Sequence, residues 1–130
     1  MVAEEGRVPP QAIDIEMIVL GAMMLDPDRV HLGFEILVDG DFYKPAHGLI
    51  FRSMQKLFES NEPIDSITLC NALLQSGHLD EIGGPVYVSE CSMRATSAAN
   101  LEHYCKIVLE KSLRRQVISS SSRFVSEAFG

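Results

Sequence analysis

The chain has 130 residues, a formal net charge of −7, and 46% hydrophobic against 22% charged residues. That length fits one domain, and that balance belongs to a globular protein, which excludes a disordered one. Helical membrane spans are excluded as well: the longest apolar run, Met17 to Leu25, covers nine residues, where a span needs about 18.

Residues 1–10 read as a flexible tail, with acids and prolines where a signal peptide would carry a basic and then an apolar segment. A cytoplasmic location is the expectation. Pro9-Pro10 precedes a helix expected over Gln11 to Leu25, with Asp14 and Glu16 near its positive end. Its second half is apolar nearly all round, which places it at the centre of a core. Gly21, in the middle of that helix, costs on the order of 1 kcal/mol relative to Ala and predicts close approach by another helix.

Asp26-Pro27 predicts a stop and a restart, with Asp26 as cap and Pro27 as the first residue of a second helix. That helix carries Val30, Phe34, Leu37 and Val38 and is expected to end near Asp39-Gly40. Asp41-Phe42-Tyr43 reads as a short aromatic plug closing the core. Pro45 opens a third helix with Leu49, Ile50, Met54, Leu57 and Phe58 on one side, ended by Asn61 and Pro63. Asp65 caps a fourth, in which Ile67, Cys70, Leu73 and Leu74 are expected to face inward and Gly77 to terminate. One further turn is expected at Asp80-Glu81-Ile82, and a fifth helix from Pro85 to about Met93.

The last quarter, residues 97–130, holds no Pro and only a terminal Gly. Apolar residues recur at Leu101, Tyr104, Cys105, Val108 and Leu109, then at Leu113, Val117, Ile118, Phe124, Val125 and Ala128. Gaps of three and four predict one long helix with a continuous apolar face, capped by Ser97 and roughly 50 Å long. The 96 residues before it are too few to cover that length, so part of the helix should project. The fold class is therefore all-α: a compact bundle of about five short helices over residues 11–96, followed by one long C-terminal helix over 97–130. The charge divides along the same line. Residues 1–96 carry six Lys/Arg against fifteen Asp/Glu, and residues 97–130 five against three. An acidic body disfavours phosphate backbones, so any nucleic-acid contact falls to the long helix, at Lys106, Lys111, Arg114 and Arg115.

No sequence pattern for catalysis or for a resident cofactor is present. The chain lacks a GxxxxGK[ST] phosphate loop, a GxGxxG after a strand, GxSxG and HExxH. Cys70, Cys91 and Cys105 form no CxxC pair and lie within apolar helical patterns, as small buried hydrophobes do. The four histidines show no metal-ligand spacing, and no metal site is expected. The paired carboxylates lie at helix ends or in the tail, where capping accounts for them.

Five segments, in order over residues 9–118, resemble the N-terminal domain of the DnaB-type hexameric replicative DNA helicases of bacteria. They are Pro9-Pro10-Gln11 with Ile13, Glu16 and Val19-Leu20-Gly21, and Asp41-Phe42-Tyr43 with His47 and Ile50-Phe51. Pro63-Ile64-Asp65 with Thr68-Leu69 follows, and then Gly83-Gly84 with Tyr87. The last is Ser97 to Asn100 with Tyr104, Ile107-Val108, Glu110-Lys111 and Arg114-Arg115. Met17 departs from the family's usual Gln, and Ala95-Thr96 from its usual Thr-Pro; neither touches a catalytic position.

The resemblance implies a non-catalytic domain. In the family, ATP and Mg are handled by a C-terminal RecA-like domain, so no cofactor is expected in this stretch. The N-terminal domain forms the collar of the hexamer, commonly as a trimer of dimers, and helps dock the DnaG-type primase and, in some bacteria, a helicase loader. The long helix corresponds to the first arm of a helical hairpin through which subunits pair, and the sequence reads as a truncated or excised domain. DNA is expected to be met through the whole hexamer and no membrane is involved. The expected partner or oligomer surface is Leu113, Val117, Ile118, Phe124 and Val125, with Tyr87 near its base. The alternative is an accessory nucleic-acid binder acting through the basic long helix.

Overall fold

A computed structural model describes residues 7–130, and among them all regular structure is helical. The expected tail lies largely outside the described residues. The core grows around helix α1 (Ile13–Leu25), whose Met17, Val19, Leu20, Ala22 and Met23 are all buried. Helices α2 (Val30–Ile36), α3 (Pro45–Glu59), α6 (Gly84–Arg94) and the long α7 (Leu101–Phe129) pack against it. Helix α4 (Ser66–Gln75) and the single turn α5 (Leu79–Ile82) close the bundle against α3 and α6. A 3-10 turn at Asp39–Asp41 links α2 to α3.

Gly21 has the reason expected of it. A Cβ there would collide with the backbone carbonyl of Cys91 on α6 and touch the Cβ of Ala95, so α1 and α6 cross at backbone contact. Phe42 is the plug: it is buried, with its ring 5.1 Å from that of Phe51. Asn61 (φ 56°) and Gly77 (φ 80°) end α3 and α4 in the left-handed region. Asp65 caps α4, accepting from the N–H groups of Ile67 and Thr68 at 2.9 Å each.

Four expectations need correction. Asp26 and Pro27 form a turn, in which Asp26 Oδ1 accepts from Asp28 N at 2.9 Å, and α2 begins only at Val30. Helix α2 ends at Ile36, because Asp41 Oδ2 accepts the Val38 N–H at 2.8 Å and holds that stretch extended; Val38 is consequently exposed. On α4 the buried residues are Leu69 and Leu73, while Ile67 and Leu74 face solvent. Ser97 does not cap the long helix: its hydroxyl accepts from Ala99 N at 3.0 Å in a local turn, and the helix starts four residues later.

Candidate interaction surface on the long helix

Helix α7 has 29 residues, about 44 Å at 1.5 Å each. Leu101, Cys105, Val108 and Ser112 are buried against the body. From Leu113 onward every residue is exposed except Arg115, which is half-buried. The helix is continuous through Ser119 to Ser122, which make a solvated face without a break.

The point of departure from the body is built of polar contacts. The Ser112 hydroxyl donates to Asp41 Oδ1 at 2.8 Å, both side chains being buried, and Gln116 Nε2 donates back to Ser112 Oγ at 3.2 Å. Arg115 donates to two backbone carbonyls, those of Pro10 at 2.8 Å and Asp41 at 2.7 Å, while its guanidinium lies over the Tyr43 ring. One side chain thus ties the long helix to the segment before α1 and to the 3-10 turn. Such bonds from a charged donor are worth about 1.5–3 kcal/mol each.

Beyond this root the exposed apolar residues are Leu113 (50%), Val117 (65%), Ile118 (37%), Phe124 (63%), Val125 (39%) and Phe129 (88%). They do not continue the face that enters the core. At about 100° per residue, their mean direction lies roughly 170° from that of Leu101, Cys105, Val108 and Ser112. The helix therefore carries two apolar faces on opposite sides, an inward one in its first half and an outward one in its second. Periodicity alone joined them into one stripe, because gaps of three and four persist across the change of face. Leu113, Val117 and Ile118, together with Pro10, border an apolar cleft where the arm leaves the body.

The basic residues of the helix are mostly engaged. Lys106 pairs with Glu102 at 3.1 Å and Arg114 with Glu110 at 3.6 Å, both on the solvent side. Lys111 is half-buried, and Arg115 is part of the root. Tyr87 belongs to a buried polar chain, separate from the outward stripe. Glu16, 1% exposed, accepts from Tyr43 N at 2.7 Å and Lys44 N at 3.4 Å, and its Oε1 lies 2.7 Å from His47 Nδ1. His47 Nε2 lies 2.6 Å from the Tyr87 hydroxyl, which Lys44 Nζ reaches at 3.1 Å. A carboxylate only accepts, so Nδ1–H donates to Glu16; in the neutral ring Nε2 then receives the Tyr87 O–H, with Lys44 donating to the phenol oxygen. The chain of donors is complete and aims no nucleophile at solvent; it locks α1, α3 and α6 together. Sequence patterns missed Glu16 and His47 because an acid in a first helical turn and a lone histidine are both common on protein surfaces.

Among the described residues no group of His, Cys, Asp and Glu could hold a metal ion, and no helix is long and apolar enough to cross a membrane.

The family profile of the DnaB-like helicase N terminal domain matches residues 8–110. The chain is 42% identical over 114 residues to the replicative DNA helicase DnaB of Rhodothermus marinus, covering 88% of this chain and 12% of that protein. With the DnaB of Geobacillus stearothermophilus it shares 41% identity over 123 residues, covering 95% of this chain and 27% of that one. The chain thus spans about an eighth and about a quarter of these relatives' lengths. Its backbone is similar to the crystal structure of the N-terminal domain of DnaB helicase from Mycobacterium tuberculosis, with a TM-score of 0.91, 35% identity and coverage of 95% and 89% of the two chains. The fold is also that of the N-terminal domain of DnaB helicase from Helicobacter pylori, a structure described with its interactions with primase (TM-score 0.77, 24% identity, coverage of 90% and 91%). With the profile covering most of its length, the chain belongs to the DnaB-like helicase N-terminal domain family.

Proposed function

We propose that this domain is a non-catalytic assembly and docking module of a hexameric replicative DNA helicase, contributing to the collar of the ring and to the capture of primase. The observation that carries the reading is the outward apolar face of α7, which its own body leaves uncovered. A row of six exposed large apolar side chains on one helix marks an interaction site. Family membership says where such a site belongs, and the primase interactions described for the Helicobacter pylori domain suggest one of its partners. In this reading α7 is the first arm of a helical hairpin, a loader docks on the same collar where one is used, and the protein works in the cytoplasm. ATP, Mg and DNA are handled by parts of the helicase outside this chain.

The test is to replace Val117 and Phe124 with Asp in the full-length helicase. Hexamer formation and primase binding, followed by sedimentation, should both weaken; if both are unchanged, the arm is not the assembly surface. The alternative of a nucleic-acid binder has less support, since Arg115 is committed to the root and Lys106 and Arg114 each face an acid four residues away. A steep fall of single-stranded DNA affinity with salt, lost on replacing Lys111 and Arg114, would favour it instead.

A further inference from the structure

Helix α4 lies at the surface and yet carries no charged residue from Ser66 to Gln75. A surface helix ordinarily turns charged or polar side chains to water, whereas the solvent side of α4 presents Ile67 and Leu74. Helix α6, which packs beside it, presents Val86 and Met93. These four are between 64% and 80% exposed, more than any other large apolar side chain on the helices of the body. At about 100° per residue, Ile67 and Leu74 lie roughly 130° from the buried Leu69 and Leu73. The opposite flank of α4, at Ala72, Gln75 and Ser76, borders a cleft against α3, so Ile67 and Leu74 turn toward α6. Val86 and Met93 point straight away from the buried Val88 and Cys91. Each pair is seven residues apart, two turns or roughly 10 Å. Two short apolar rows thus stand side by side on the body, apart from the arm.

The surroundings of these rows are acidic. From Leu57 to Met93 the sequence holds Glu59, Glu62, Asp65, Asp80, Glu81 and Glu90, and no Lys or Arg. Glu90 lies between Val86 and Met93 along α6, and Asp80 and Glu81 belong to α5, which touches both helices. The flanking cations are turned elsewhere: Lys56 borders the cleft on the α3 side, and Arg94 donates to Asp14 at 3.3 Å.

We infer that the α4–α6 face docks a cationic amphipathic helix of a partner protein. The apolar residues of that helix, two turns apart, cover the paired rows, and its Lys or Arg side chains meet the surrounding carboxylates. Charge selects this occupant. Phosphate backbones and anionic membranes are repelled by such a surface. A second copy of the same face would set carboxylates against carboxylates with no cation between them. A basic helix is steered in by the same field that excludes the others. The site is independent of α7 and of the reading of the arm as an assembly surface.

The probe is a fluorescent peptide of about 14 Leu and Lys residues, its Leu side chains at helical spacing on one side, titrated into the 130-residue chain. Replacing Ile67→Ser together with Met93→Ser should raise the dissociation constant at least about tenfold, while Val117→Ser stays within about twofold. Both replaced side chains are exposed, so circular dichroism and the thermal melt should match those of the parent chain. Glu90→Lys should weaken binding by about threefold or more, and added salt should weaken it in the parent chain. The same peptide with Glu in place of Lys should not bind. Binding that is absent in the parent chain, indifferent to the double replacement, or lost in Val117→Ser overturns the site. Equal binding of the Glu peptide overturns the cationic occupant. Self-association of the chain that the double replacement abolishes, followed by sedimentation, makes the occupant a second copy and overturns the partner helix.

Discussion

Glu16 gathers three donors in the core: two backbone N–H groups at the start of α3 and the imidazole of His47. Removing a buried acceptor costs about 1–3 kcal/mol for each strong donor left unmet. Glu16→Ala should therefore destabilise the domain by about 3 kcal/mol or more, whereas Tyr87→Phe, which leaves buried His47 Nε2 unmet and frees the half-buried Lys44 Nζ to turn to water, should cost about 1–2 kcal/mol. Urea midpoints at constant m-value report both. A near-neutral Glu16→Ala would mean that the chain from Glu16 to Lys44 does not hold the helices together. The thiols act at alkaline pH. Burial pushes Cys91 up to about 11 and Cys105 up to about 12 from an ordinary 9.0, and it also raises Tyr87 above 10.0. In each case the anion would lose its hydration. Between pH 9.0 and about 11 the unfolded chain releases thiol protons that the folded chain keeps, so stability falls as pH rises. It should be level from about pH 7 to 8.5, decline above about 9, and decline less in Cys105→Ala, all measured by denaturant midpoints across that range.

Helix α1 carries the clearest opposition of two effects within one element. Gly21→Ala gains about 1 kcal/mol of helix propensity, but its Cβ meets the Cys91 carbonyl, a backbone atom that cannot rotate away. Overpacking of this kind costs about 1–3 kcal/mol or more, so the net effect should be destabilising by about 1–2 kcal/mol. Gly40→Ala meets nothing within 4 Å and serves as the neutral control; thermal melts of the two separate the outcomes. The crossing was legible in the sequence because a glycine weakens the helix that holds it, and a close helix contact is the usual return for that cost. Helix starts at Pro45 and Asp65, and the stops at Asn61 and Gly77, were legible because each rests on local backbone chemistry. The end of α2 was not, since it depends on the Asp41 side chain reaching back to Val38, and nothing in the pattern of Leu37 and Val38 signals that. Nor was the inward face of α4. Its four apolar candidates fit two overlapping stripes, and only the packing of Leu69 and Leu73 against α3 and α6 selects one.

At the scale of the whole molecule, the basic helix packs along the acidic body over its first half and parts from it at one joint, where Arg115, Ser112 and Asp41 fix the angle at which α7 leaves the core. That the helix outruns its body could be read from length and period. That its apolar stripe changes sides at the joint could not, because a period of three and four survives a shift of face, and only the buried contacts of the first half reveal the offset. The consequence is a helix with two stabilities. Residues 105–112 bond back within the helix on the stretch that shares the core, so their amides should exchange only when the domain unfolds. The stretch from Gln116 to Phe129 has 14 residues, about the length at which an isolated helix is marginal in water, and nothing from its own body covers it. Hydrogen exchange on dilute protein should show a sharp rise in rate between Ser112 and Gln116, with the arm exchanging at least about a hundredfold faster than the first half. Occupation of the outward face by a partner should slow the arm and leave residues 105–112 unchanged. Arg115→Ala should move the boundary toward Val108, because the last anchored turn then loses its two carbonyl contacts. Uniform protection along the whole of α7 in a monomer would show that the arm is stabilised within its own chain, and the outward face would then have no need of a partner to remain helical.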